Sequence, residues 1–258
     1  ADGQTTVIET TPTRDHTERM LRQFGVDVRV DKRPDASLIS VSGDAELTGT
    51  AVNVPGDISS AAFFMVAAAC LAGSDLRLVN VGLNPTRSAL IDVLKKLGVA
   101  IKVEDNSLTD GEPAGLISVS GGIEGGRDAS NVLSGSIIAN LIDEVPILAV
   151  LGSQLESGLE VRDARELRVK ESDRIRSVVT NLKAMNADVE EFEDGFRVER
   201  SQLKGATVDS FGDHRIAMAF AAAGLLAEGQ TNITHAECVD VSFPGFFDML
   251  EGIVIRDE

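Results

Sequence analysis

The hexamer Leu38-Ile39-Ser40-Val41-Ser42-Gly43 returns unchanged as Leu116-Ile117-Ser118-Val119-Ser120-Gly121. Its apolar–polar alternation reads as a strand with one buried face. Each copy precedes a polar linker and then a helix. The first of those helices, from Asp57 through Ala61-Ala62-Phe63-Phe64-Met65-Val66-Ala67-Ala68-Ala69, is apolar nearly all round. Such a helix belongs inside the protein, not on its surface. A second apolar helix is expected to begin near Asp143 and a third near Asp213.

A short turn and a strand follow each apolar helix, at Ala72–Leu78, Glu156–Val161 and Ala227–Ile233. Amphipathic helices come next, over Pro85–Leu97, Asp173–Met185 and Phe243–Leu250. The first two return through strand pairs, Ala100–Val103 with Leu116–Val119 and Val189–Phe192 with Phe196–Val198. Each unit is thus roughly βαβαββ, and repetition of a unit this size signals stacked copies sharing one core. The fold class is α/β (α+β), with buried helices beneath repeated sheets and internal pseudo-threefold symmetry.

The segment Ala1–Val7 matches Ala227–Ile233, the middle of a unit, with no apolar helix before it. The helix after it is expected, with Asp15 and Glu18 as a capping box before Met20, Leu21 and Phe24. Residues 1–52 therefore read as the truncated end of a first domain whose earlier part lies upstream, and 53–258 as a complete second domain.

Two charged runs sit at helix starts. Arg168-Val169-Lys170-Glu171-Ser172-Asp173-Arg174 packs three cations and two carboxylates into seven residues, where a helix marked by Ile175, Val178, Val179 and Leu182 begins. Ser172 is the expected N-cap. Free N–H groups and the macrodipole favour anions there, and Lys170 and Arg174 add to that preference. Glu171 places a titratable carboxyl beside the cations, a combination suited to proton transfer on an anionic substrate. The second run, Gly212-Asp213-His214-Arg215, enters the apolar helix Ile216–Leu226 with His and Arg in its first turn.

Together and in this order, the two runs closely resemble the 5-enolpyruvylshikimate-3-phosphate synthase family. So do Val54-Pro55-Gly56-Asp57-Ile58-Ser59-Ser60-Ala61-Ala62, Leu141-Ile142-Asp143-Glu144 and Thr13-Arg14-Asp15-His16-Thr17-Glu18. The resemblance runs from end to end. It implies an enolpyruvyl transferase-like fold of two domains, each of three βαβαββ units, closing on substrate in a cleft. It implies transfer of the enolpyruvyl group of phosphoenolpyruvate to the 5-hydroxyl of shikimate 3-phosphate with release of phosphate, a shikimate-pathway step needing no metal or other cofactor. Asp143 matches the family's base, although it also reads as an N-cap. Glu171 matches the proton donor or relay, and Lys170 and Arg14 match shikimate 3-phosphate ligands. Arg174 and Arg215 match the arginines holding phosphoenolpyruvate, whose planar oxygens suit guanidinium forks. His214 is expected to orient Arg215 or the substrate. In one departure, Val241 in Cys238-Val239-Asp240-Val241-Ser242-Phe243-Pro244 stands where some members carry a phosphoenolpyruvate-binding lysine, with consequences for that substrate and for the inhibitor glyphosate. The family's first portion, with its Lys-Ser, Gly-Thr and Ser-Gln segments, finds no match here. This leaves a non-catalytic half-enzyme, needing that portion as partner, as the other reading. The related UDP-N-acetylglucosamine enolpyruvyl transferase lacks the paired runs.

The bulk composition limits the partners. The net charge of −17 repels nucleic acid and acidic membranes over the general surface, so an anionic substrate needs a local basic site. Cys70 and Cys238 lie far apart, Cys70 as a small buried hydrophobe, and His16, His214 and His235 show no metal-ligand spacing. The longest apolar run, Ala61–Ala72, is too short to span a bilayer, and a cytoplasmic location is expected.

Overall fold

The computed structural model describes residues 2–10, 13–105, 111–123 and 131–254. Ala1 and the linker residues 124–130 of the sequence reading lie outside them. The chain opens with β1 (Gln4–Glu9), α1 (His16–Gln23), β2 (Val28–Lys32) and β3 (Ser37–Ser42), whose antiparallel sheet runs β1-β3-β2. The first hexamer is the central strand β3, with Ile39 flanked by Val7 and Val30.

The second stretch holds α2 (Ile58–Cys70), β4 (Asp75–Gly82), α3 (Ala89–Lys96), β5 (Val99–Asp105) and β6 (Ala114–Ile123). Its sheet runs β4-β6-β5, so the second hexamer is again central, with Ile117 between Leu78 and Val103. A parallel bridge from Gly56 to Val81 lays the entry to α2 beside β4. The third stretch comprises β7 (Val132–Leu133), α4 (Ile137–Leu141), α5 (Val145–Gly152), β8 (Leu159–Val161), α6 (Arg174–Ala184), β9 (Val189–Phe192) and β10 (Gly195–Val198), with sheet order β7-β8-β10-β9. The fourth is β11 (Thr207–Asp209), α7 (His214–Leu226), β12 (Asn232–Thr234) and α8 (Phe246–Ile253), with β11 parallel to β12.

One topology therefore recurs. A parallel pair brackets each apolar helix: Gly56 with β4, β7 with β8, and β11 with β12. Antiparallel strands then follow in β6 and β5, and in β10 and β9. β1, β3 and β2 repeat the same order. Among the described residues, the fourth stretch contains no antiparallel pair after β12.

Composition explains why α2, α5 and α7 are interior. α2 is built of Ala, Val, Phe and Met, and the residues from Ala61 to Ala69 are all buried. All of α5 is buried, and α7 keeps Ile216–Phe220 inside. Small side chains let the three helices approach one another closely and share one apolar core with the inner faces of the β4-β6-β5 and β7-β8-β10-β9 sheets. Phe63, Phe64, Phe243, Phe246 and Phe247 form an edge-to-face cluster that fastens α8 to α2. Cys70 ends α2 only partly covered, packed against the core, and burial pushes its thiol up to about 12.

Helix starts differ from the sequence reading in three places. Asp15 occupies the cap position of α1, but its carboxylate accepts from Arg19 and Asn84 instead of closing a capping box with Glu18. Ser172 is not the cap of α6. Asp173 is, accepting from the Arg176 N–H at 3.0 Å, because its carboxylate reaches the free N–H groups from one residue further on. Asp143 is not a cap either. α5 begins at Val145, and Glu144 holds the cap position without a side-chain cap bond.

Candidate active site

The site is assembled where α6 and α7 begin and where the chain enters α5. Asp213 caps α7, accepting from the Arg215 N–H at 2.9 Å. It is completely buried, so its charge requires partners. Arg174 Nε donates to it at 2.8 Å and the Ser172 hydroxyl at 3.1 Å. Arg174 opens α6 and is itself only 1% exposed. The first turns of the two helices are thus joined by a buried, charge-assisted bond.

The rest of the Arg174 guanidinium faces outward from that bond. Nη2 donates to Glu171 at 2.6 Å and Nη1 reaches Asp143 at 3.4 Å. Asp143 also accepts from Arg14 Nη2 at 3.0 Å and lies 3.8 Å from Arg215 Nη2. Arg215 Nη1 donates to the Asp143 backbone carbonyl at 3.2 Å. Three guanidinium groups from sequence-distant elements therefore converge on one carboxylate. Burial raises the Asp143 pKa, but Arg215, Arg14 and Arg174 outweigh it and hold the carboxyl below its ordinary value. His214, half-buried in the first turn of α7, is driven toward its neutral form by burial and then by Arg215.

Asp143, Glu171, Arg14, Arg174 and Arg215 are thus brought together, with His214 adjoining them in sequence beside Arg215. Lys170 turns instead to Glu166, 2.5 Å away across the 3-10 turn Arg165–Val169. Val241 is exposed at the end of the 3-10 turn Ala236–Val241. Two members escaped the sequence reading as site residues. Asp213 was quoted only as a helix start, and its signal is that a cap preceding a largely buried helix must find cations. Arg168, which accompanies Arg174 in the same run, braces the α6 cap from outside through Asp173 at 2.9 Å. Elsewhere, a cavity of about 610 Å³ lies between α1 and residues 51–58, lined by His16, Arg19, Asp57, Asn84, Arg87 and Glu112. None of the residues converging on Asp143 lines it.

The sequence model of the family described as EPSP synthase (3-phosphoshikimate 1-carboxyvinyltransferase) matches residues 1–250. The chain is 47% identical over 257 residues to the 3-phosphoshikimate 1-carboxyvinyltransferase of Desulforamulus reducens, covering 99% of this chain and 58% of that protein. It is 51% identical over 255 residues to that of Pelotomaculum thermopropionicum, covering 98% and 57%. Among solved structures, EPSP synthase from Acinetobacter baumannii superposes with a TM-score of 0.86 at 41% identity, over 98% of this chain and 57% of that one. The enolpyruvyl transferase NikO from Streptomyces tendae shares the fold, with a TM-score of 0.73 at 19% identity over 98% of this chain and 55% of that one. The chain thus spans well under two thirds of the length of the relatives it matches. With a family match that extends over nearly all of its own residues, the chain belongs to the EPSP synthase family.

Proposed function

We propose that this chain supplies one wall of an active site that transfers the enolpyruvyl group of phosphoenolpyruvate to the 5-hydroxyl of shikimate 3-phosphate, releasing phosphate. The observation that carries this reading is the convergence of Arg14, Arg174 and Arg215 on Asp143, with Glu171 bonded to Arg174. Substrates bearing phosphates and carboxylates offer the guanidinium groups the oxygens that Asp143 now supplies. Once they do, Asp143 loses the cations that depress its pKa and becomes a stronger base toward the hydroxyl. Glu171, half-exposed at the mouth of the cluster, is placed to deliver a proton to the methylene carbon of phosphoenolpyruvate. Arg14 and Lys170 are assigned to shikimate 3-phosphate, Arg174 and Arg215 to phosphoenolpyruvate, and His214 to orienting Arg215. For Lys170, that role requires release from Glu166. Asp213 keeps Arg174 in place by neutralising its buried end.

In this reading, residues 1–52 close a first domain, residues 53–258 form the second, and the opposing wall comes from the family's N-terminal portion. That portion is the proposed partner, and a cytoplasmic location is proposed with it. Among the described residues, no helix is long and apolar enough to cross a membrane. The test mixes the 258-residue chain with the N-terminal portion of a relative and follows phosphate release with both substrates. Turnover that needs both polypeptides and both substrates is expected. An inactive mixture whose two components demonstrably associate would refute the assignment.

A further inference from the structure

Glu144 plays no part in the cluster just described, yet it is a buried carboxyl, only 5% exposed, beside its most important residue. Its side chain reaches α2, where it accepts from the Ser59 hydroxyl. Arg87 Nη2 donates to the same hydroxyl at 2.8 Å and to Asp57, the cap of α2, at 2.9 Å. A serine oxygen can accept from the guanidinium and donate to the carboxylate at once. Asp57, Arg87, Ser59 and Glu144 therefore form an unbroken chain from the start of α2 to the cap position of α5. The internal repeat gives this chain a meaning. Arg87 follows Asp57 by 30 residues, as Arg174 follows Asp143 by 31. Both arginines tie the approach to an amphipathic helix back to the approach to an apolar one.

We infer that Glu144 is a positioning residue for the chemistry at Asp143, anchoring the first turn of α5 to α2 through Ser59 and Arg87. This rests on the role proposed above for Asp143. The groups facing Glu144 are Ser59 and the Asp57–Arg87 pair from α2 and its neighbouring turn, Arg215 from α7, and Asp143 on its own segment. Burial raises the Glu144 pKa, and the Ser59 hydrogen bond, Arg215 and Arg87 oppose that rise. Asp143 is held below its ordinary value and Glu144 above its own, so Glu144 is already protonated where Asp143 takes up its proton, and it acts on Asp143 through position.

Glu144→Ala removes the tether from the α5 side, and Ser59→Ala removes it from the α2 side. Carboxyl carbon NMR of the 258-residue chain should show the Asp143 midpoint higher in Glu144→Ala, because a displaced carboxylate loses part of the arginine contact that depresses it. In the enzyme complemented with the N-terminal portion, kcat should fall about tenfold while both KM values stay within about twofold, as expected of a displaced reacting group. Ser59→Ala should shift both readings the same way by less, and it decides the question if Glu144→Ala does not fold. An unchanged Asp143 midpoint and unchanged kcat, with only a lower melting temperature, would overturn the inference and leave Glu144 a packing residue. If complemented wild type shows no turnover, the proposed reaction fails, and the midpoint still decides whether Glu144 acts on Asp143.

Discussion

Replacing Arg174 by methionine should destabilise the protein by about 3–5 kcal/mol, the cost of leaving a buried charge without its partner. Asp213 is fully buried and would keep only the Ser172 hydroxyl and the Arg215 N–H. Both the α6 and the α7 starts would loosen, since the Arg174–Asp213 bond is what joins them. The midpoint of urea unfolding, measured on the 258-residue chain, reads this directly. Arg174→Met combined with Asp213→Asn should recover part of the loss, because no uncompensated buried anion then remains. A single substitution that costs less than about 1 kcal/mol, the range of an exposed pair, would mean that the bond is not buried in solution.

Asp143→Asn should lower turnover of the complemented enzyme by about 10²–10⁴-fold, the usual contribution of a positioned general base. Near-normal turnover would remove Asp143 from that role. The same substitution has a second, separable effect. Because Asp143 does not cap α5 but receives three arginines, asparagine leaves those cations with less compensation, at about 1–3 kcal/mol. The pH dependence follows from the depressed pKa. A carboxyl held below its unfolded value of about 3.9 contributes stability that is complete above that pH and is lost as pH falls through the folded value. The stability gap between wild type and Asp143→Asn should therefore be open at neutral pH and close in acid. A gap that stayed constant down to strongly acidic pH would contradict the cluster.

The repeat was legible because the same strand pattern recurs before helices that are apolar on every side. What the hexamer could not reveal was its surroundings. Ile117 and Val119 are completely buried, whereas Ile39 and Val41 are only partly covered, and their neighbours Val7 and Ile8 are largely exposed. Burial of a strand depends on what stacks above it, and six residues carry no record of that. The site was legible through its two charged runs and their resemblance to a family. The runs could not show that Arg14 from α1's approach meets Asp143, that Lys170 turns to Glu166, or that Asp213 lies beneath Arg174. Those pairings are set by which buried helices adjoin, and the relevant partners are dozens of residues apart. Cap positions were misjudged by one residue because Ser172, Asp173, Asp143 and Glu144 all have acceptor side chains, and local geometry decides which one takes the cap position.

The trio α2, α5 and α7 has a consequence for how the molecule opens. Each helix hides its backbone against the other two as well as against its own sheet. No single repeat can therefore come apart without exposing the interior of its neighbours. Amide hydrogen exchange should show this as shared protection. Amides in the middle of all three helices should exchange only through one global opening, with a common free energy and a common dependence on denaturant. Those of α1, which buries no residue, should exchange independently and sooner. A protein assembled from repeats would then behave, across these three helices, as one indivisible cooperative unit.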